Sequence, residues 1–461
     1  MSKKQTAGLI LTALVIISAF LIPAGGLLTT AGVRTIALLI ALLILLISDA
    51  LPVMLSCMVI IALMPIIGVT PNFSDALSGF SNQTVFFVLA SFGIASAFKN
   101  TPLSRRILAA IIKRFGKSAE SVLFAIMFCG GLISSLISNL PTCAIFMTIG
   151  LSFLDTYENE TDKKRSGRVF MIGIPTAVMA GGVMTPAGCS LNLLAINFLE
   201  QYTGRTIGFV QWMCAGVPLG LVMIPIIWFF VIKIHKPAPI TNEMVSELIK
   251  KLDVPEKLTA VEIKVLIITA VMLILWILSS WVSAINVMVV ALVGCCIFCL
   301  PFTKILDFKT YVSEISWTSY FLMATVLSLG GAMVSNGVSQ WISTLMPALS
   351  LPMPVTIFIT AVICFAVLII IPVSPSMVTI MASPLIAFAA AAGLAPEIIM
   401  LVCGICASDC FLLPLDTVPL LTYGTGYYSI TDMVKSSLPA VLILCLLMSV
   451  WLPIVGKIFG F

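Results

Sequence analysis

The sequence predicts an all-α polytopic membrane protein, with about 11 transmembrane helices plus two re-entrant helical hairpins in two inverted repeats. Three observations carry that expectation. The 461 residues are 60% hydrophobic and only 9% charged, too little charge to cover a water-soluble chain of this size. Apolar runs of membrane-crossing length recur from one end to the other. Two long apolar runs, one in each half, are interrupted in mid-course by Ser, Asn, Thr and Pro.

Residues 1–30 hold the first apolar run, 7–23, which follows Lys3 and Lys4 and flows straight into a second run. It reads as a first membrane helix and not as a cleavable leader. Residues 31–235 form the first repeat, beginning with spans at 35–48, 52–67 and 85–98. Residues 104–117 then set Arg105, Arg106, Lys113, Arg114 and Lys117 among Leu, Ile and Ala at helical spacing. That pattern is a basic amphipathic helix lying along the interface. The run 121–153 breaks at Ser138-Asn139-Leu140-Pro141-Thr142. Each limb is read as too short to span, so a hairpin that enters and leaves on one side is expected. The run 168–200 breaks at Thr185-Pro186-Ala187-Gly188, and 209–232 spans again.

Residues 236–260 are hydrophilic and read as a solvated cytoplasmic linker. The same grammar returns in 261–461: spans at 263–280, 282–300 and 317–335, then a second interfacial helix at 337–350. A second hairpin occupies 355–391, interrupted at Ser374-Pro375-Ser376. A second broken helix occupies 396–424, interrupted at 414–419, and 437–454 closes the plan. A hairpin adds no crossing, so each unit crosses an odd number of times and the two insert upside down relative to each other. With the amino terminus inside, Lys3, Lys4, the basic helix, 163–168, 233–257, Lys304, Lys309 and Lys435 all fall in the cytoplasm. Only Arg34, Arg205 and Lys457 then fall outside, as the positive-inside rule requires. The expected location is the cytoplasmic (inner) membrane.

Several residues read as structural. The thirteen cysteines are scattered through apolar segments without a paired CxxC framework, so they read as small apolar packing residues. Asn82 and Thr84 read as helix-capping residues, Asp49 as a turn or cap residue, and His235 as solvated. The tryptophans read as an interfacial belt.

The four breaks are where chemistry is expected. Half-helix amino termini present free N–H groups and partial positive charge, which suit a carboxylate or sulfate. Freed carbonyls with Ser, Thr and Asn side chains suit Na⁺. No buried Arg is evident, and neutral donors permit release as well as binding. No cofactor and no nucleic-acid partner are expected. An enzyme is disfavoured, because the apolar region holds neither a nucleophile–base pair nor a metal cluster.

These residues resemble the divalent anion:sodium symporters of citrate, dicarboxylates and sulfate. The resemblance rests on Ser138-Asn139-Leu140-Pro141-Thr142 and Ser374-Pro375-Ser376 at the tips. Thr185-Pro186-Ala187-Gly188-Cys189-Ser190-Leu191-Asn192 and Pro414-Leu415-Asp416-Thr417-Val418-Pro419 carry it at the breaks. Gly79-Phe80-Ser81-Asn82-Gln83-Thr84-Val85 and Gly424-Thr425-Gly426-Tyr427-Tyr428 extend it over nearly the whole chain. It implies an anion site from Ser138, Asn139, Leu140, Ser374, Pro375, Ser376, Thr379 and Thr417. It implies a sodium site from Ser134, Ser138, Asn139 and Gly188. It also implies a homodimer in membrane lipid, with a scaffold domain and a moving transport domain that carries a small anion, either with Na⁺ or by exchange.

Three departures bear on coupling. Leu140 replaces a Thr at the first tip, Pro375 stands where the second Asn belongs, and Asp416 replaces a small residue. Asp416 is therefore a further candidate cation ligand. The alternative is a cation/proton antiporter or metalloid carrier of similar architecture, relying on Asp416 and Asp409.

Overall fold

The computed structural model describes residues 2–23, 25, 28–282, 284–345, 351–371 and 373–461. Helices dominate, and no strand longer than an isolated bridge is present among the described residues. Eight helices are long and apolar enough to cross a membrane, or nine when the bent pair Gln83–Lys99 and Leu103–Phe115 counts as one span. The sequence reading placed more spans, about 11. The two counts also differ in membership: Ala119–Ile137, Met353–Ile370 and Ser374–Ala391 are hairpin limbs that the expected count left out, whereas Val53–Ile66, Val287–Cys299 and Pro396–Ser408, expected within spans, are apolar helices of only 10–17 residues.

Three of the four hairpin limbs are long enough to span, which corrects the reading that each is too short; only Asn139–Leu154 is short as expected. The limbs are Ala119–Ile137 with Asn139–Leu154, and Met353–Ile370 with Ser374–Ala391, of 19, 16, 18 and 18 residues. Charge is confined to Glu120 at the far end of the first, so nothing shortens the helices before the polar tip. Length alone does not define these hairpins; packing does. Both limbs of the first lie against Glu160–Gly182, and both limbs of the second lie against Pro396–Ser408.

The two halves exchange partners. The helix after the first tip, Asn139–Leu154, packs on Glu160–Gly182 of its own half and on Thr417–Tyr423 of the other. The helix after the second tip, Ser374–Ala391, packs on Pro396–Ser408 and on Ser190–Thr203. Phe209–His235 lies against its counterpart Ile430–Phe459. Small residues permit the closest approaches, as in membrane bundles generally. A side chain on Gly181 would collide with the Gly131 backbone, and one on Gly216 with the Val183 carbonyl.

The basic helix Leu103–Phe115 turns 55° away from Gln83–Lys99, a bend that the expected interfacial position would need. It is pinned by residues of the linker and of the other half. Arg106 Nε meets Glu262 Oε1 at 2.7 Å, and Arg106 Nη2 donates to the Lys257 carbonyl at 2.9 Å. The hydrophilic linker is correspondingly more than solvated chain. It carries the helix Asn242–Lys251, whose Leu248 is buried and which contacts both the basic helix and Asn139–Leu154. The second interfacial helix is Val338–Leu345, and residues 346–350 of the expected element lie outside the described residues.

Asn82 caps Gln83–Lys99 by accepting from the Thr84 N–H at 2.8 Å, and Asp49 ends Thr30–Ser48 in the left-handed region. Two readings are corrected. His235 is half-buried, its Nε2 donating to the Asp432 carbonyl at 3.0 Å. Trp212 and Trp276 are core residues with 0% and 2% exposure, not belt residues, because each indole N–H has a buried carbonyl to satisfy.

Candidate functional site

Ile137 ends the first limb and Asn139 begins the next helix, so the whole reversal falls on Ser138. Its backbone adopts φ 87° and ψ 150°, a region that favours glycine. Holding a serine there costs on the order of 1–3 kcal/mol, a strain that persists only where the surroundings enforce it. Three hydrogen bonds do so. The Ser138 N–H donates to the Ser134 carbonyl at 3.3 Å, and the Thr142 hydroxyl donates to the Ser138 carbonyl at 2.8 Å. The Ser134 hydroxyl donates to Asn139 Oδ1 at 2.7 Å. The Asn139 amide nitrogen has no protein partner among the described residues, and Asn139 lines a cavity.

The first helix break lies directly behind this tip. Its freed backbone groups are taken up by side chains, which is how irregular backbone survives at membrane depth. Thr185 donates to the Ser135 carbonyl at 2.6 Å and accepts from the Gly188 N–H at 3.0 Å. Asn192 Nδ2 donates to the Gly182 and Thr185 carbonyls at 2.9 and 2.8 Å. The Trp212 indole donates to the Val183 carbonyl at 2.9 Å. Gly182 abuts Asn139 Oδ1 so closely that any side chain there would collide with it, and Gly188 in turn packs on the Gly182 carbonyl. Ser134, Ser138, Asn139 and Gly188 are thus brought into one neighbourhood. Ser138 and Asn139 face the cavity; Ser134 and Gly188 stand behind them.

The second tip is built differently. Ser374 is the first residue of its helix, as Asn139 is of the other. The expected alignment put Pro375 opposite Asn139. The backbone instead puts Ser374 there, Val373 opposite Ser138, and Pro375 opposite Leu140. The Ser374 hydroxyl donates to Asp416 Oδ2 at 2.6 Å. Asp416 is also the N-cap of Thr417–Tyr423, its Oδ1 accepting from the Thr417 hydroxyl at 3.2 Å and the Val418 N–H at 3.4 Å. The second break runs from Asp409 to Asp416, earlier than the expected 414–419, because Pro396–Ser408 ends at Ser408.

Both tips and both breaks meet at one cavity of about 250 Å³. Ser138, Asn139, Leu140, Ser374, Pro375, Asp416 and Thr417 all line it. Ser376 and Thr379 do not, although the sequence reading placed them in the anion site. Both are buried, Ser376 within the first turn of the helix and Thr379 beyond it, and the Thr379 hydroxyl is spent on the Pro375 carbonyl at 2.8 Å. Asp409 is buried with Oδ1 unpartnered, and it does not line the cavity either.

The sequence reading missed the opposite wall. Val88, Ser91 and Phe92 come from Gln83–Lys99, and Thr318, Ser319 and Leu322 from Trp317–Ser335. The available signal was the polar pair Thr318-Ser319 opening an otherwise apolar span. Cys189 and Ser190 also line the cavity; they were read within a motif without being given a role. Among the described residues no cluster of His, Cys, Asp and Glu is arranged to hold a metal ion. The cation-ligating atoms on offer are the neutral oxygens Ser134 Oγ and Asn139 Oδ1 at the first tip and the Asp416 carboxyl at the second.

The chain resembles known proteins in fold and in sequence. A solved structure of the Alcanivorax borkumensis YdaH transporter superposes with a TM-score of 0.61 at 14% identity, covering 100% of this chain and 99% of that one. A sodium-dependent dicarboxylate transporter, SdcS, from Staphylococcus aureus is 24% identical over 383 residues, 77% of this chain and 73% of its own length. A membrane protein from Cupriavidus necator is 24% identical over 275 residues; the match spans 58% of this chain and 52% of that protein. The family described as the sodium:sulfate symporter transmembrane region matches residues 3–459, so this chain belongs to the sodium:sulfate symporter family of membrane transporters.

Proposed function

We propose that the chain is a sodium-coupled secondary carrier of a small carboxylate of the di- or tricarboxylate class. It works by alternating access, with the hairpins and broken helices moving as an elevator against the remaining helices. One observation carries this reading. The two tips, remote in sequence, line one cavity whose far wall comes from Gln83–Lys99 and Trp317–Ser335. A mobile face opposed to a separate wall is what alternating access requires. The ligand would be held by the Asn139 amide and by the amino terminus of the helix behind it. The sodium ion would sit beside Ser134, Ser138, Asn139 and the Gly188 backbone. The carrier would act as a homodimer in the cytoplasmic membrane with its amino terminus inside.

The test is counterflow in liposomes with labelled succinate, 2-oxoglutarate, citrate and sulfate, with and without a sodium gradient. Sodium-stimulated uptake of a carboxylate supports the reading. Uptake that ignores sodium and requires anion on both sides would make the protein an exchanger. Uptake of cations alone would remove the anion reading altogether.

A further inference from the structure

The cavity is polarised. At the first tip it offers donors: the Asn139 amide nitrogen, left over because Ser134 engages only Oδ1, and the amino terminus of a 16-residue helix. At the second tip it offers acceptors. Asp416 is the only charged side chain lining the cavity among the described residues, with no Lys, Arg or His opposite it. The Ser374 and Thr417 hydroxyls both spend their protons on Asp416, so only their lone pairs remain for a ligand. The carboxylate receives three donors, from Ser374, Thr417 and the Val418 N–H, where two oxygens have about four acceptor sites. Asp416 also stands at the amino terminus of the second tip helix through Ser374, the place where a second substrate carboxylate would otherwise gain stabilisation.

We propose that Asp416 acts as a built-in counter-anion at the second tip and selects substrates that carry a hydrogen-bond donor there. The preferred class is a hydroxy- or amino-carboxylate, one carboxylate at Asn139 and a hydroxyl or ammonium at Asp416. A bare dicarboxylate would set its second carboxylate against Asp416 and two hydroxyl lone pairs. This rests on the reading that the cavity takes a carboxylate.

The test is competition against sodium-driven uptake in liposomes with malate, aspartate, succinate and 2-methylsuccinate. Methylsuccinate has a methyl group where malate has its hydroxyl, so the pair isolates the donor at nearly constant shape. The expected result is malate or aspartate over succinate and methylsuccinate by at least about tenfold. In Asp416→Asn the malate-to-succinate ratio should fall toward one, because the amide offers a donor to a carboxylate as readily as an acceptor to a hydroxyl. Equal or better competition by succinate in the parent protein overturns the proposal while leaving carboxylate transport standing. So does a ratio that Asp416→Asn does not move. Uptake of sulfate with no competition from any of the four acids removes the carboxylate reading and this proposal with it. The parent comparison of malate with methylsuccinate decides the matter even where the variant does not fold.

Discussion

The two tips occupy equivalent places in the fold and solve the same problem with opposite chemistry. At the first, a strained serine turns the chain and an asparagine is held by its side-chain oxygen, leaving its amide free. At the second, Ser374 takes the place of the asparagine as the first residue of its helix, and its hydroxyl is tied to Asp416 across the second break. One tip leaves an amide open to a ligand; the other presents a carboxyl group whose oxygens are mostly engaged by its own protein. The lesson is that a duplicated scaffold does not oblige duplicated sites. Once one copy holds the carboxylate and the cation, the other is free to read the rest of the substrate.

The largest effect expected from this asymmetry is at Asn139. Asn139→Ala removes both the amide donor for the anion and the oxygen that pairs with Ser134. Losing one hydrogen bond to a charged ligand costs about 1.5–3 kcal/mol, or roughly ten- to a hundredfold in affinity. Transport should fall by at least that much, with expression and oligomeric state unchanged. Parent-like uptake by this variant would mean that the first tip does not bind. A smaller loss is expected from Gly182→Ala. Its methyl group would collide with Asn139 Oδ1, and overpacking of this kind costs about 1–3 kcal/mol. The tip should relax by displacing Asn139, so uptake falls about tenfold and melting temperature drops in the same sample. Changes to the second tip should not rescue it.

Much of this was legible in the sequence, for identifiable reasons. Polar residues and Pro interrupting an apolar run stand out because lipid tolerates them nowhere else, so the first tip is legible at Ser138, the second to within one residue, and the first break lies inside the observed gap between Gly182 and Ser190. The second break was placed late because Pro414 drew the boundary, whereas the helix ends at Ser408, where no Pro or Gly marks it. Ser376 and Thr379 were assigned to the site because hydroxyls near a tip look alike in sequence. Which face of the helix they occupy depends on a one-residue register that only the backbone fixes. Trp212 was read as interfacial because indoles usually are; its buried partner, the Val183 carbonyl, exists only once the helix breaks. The Ser374–Asp416 pair joins residues 42 apart and has no local signature.

A third prediction concerns the strain itself. Ser138→Gly relieves a backbone conformation that costs a serine about 1–3 kcal/mol, while raising the entropy of the unfolded chain by up to about 1 kcal/mol. The net effect on melting temperature should be small and positive, whereas Ser138→Ala, which keeps the strain and loses the hydroxyl, should give none. Val373→Gly at the other tip has no positive φ to relieve and should be neutral or destabilising. Stabilisation by glycine at both tips would erase the claimed difference between them.

The smallest expected effect is the most discriminating, because it separates two roles for Asp416. A carboxylate at membrane depth is a functional candidate by default, and the sequence alone offers Asp416 as a cation ligand. Its hydrogen bonds argue otherwise: three of about four acceptor sites are filled by Ser374, Thr417 and the Val418 N–H, and the one that remains suits a single hydrogen-bond donor better than an ion that needs several oxygens around it. The neutral oxygens of Ser134 and Asn139, side by side at 2.7 Å, are the better start for a cation site. With succinate as the reporter, which has no donor for Asp416 to read, Asp416→Asn should therefore leave the sodium concentration for half-maximal uptake within about twofold of the parent. Ser134→Ala should raise it by tenfold or more, since a buried oxygen lost from a small ligand set is not replaced by water. The reverse pattern, with sodium dependence moved by Asp416→Asn and untouched by Ser134→Ala, would place the cation at the second tip. The asymmetry of the two tips would then run the other way.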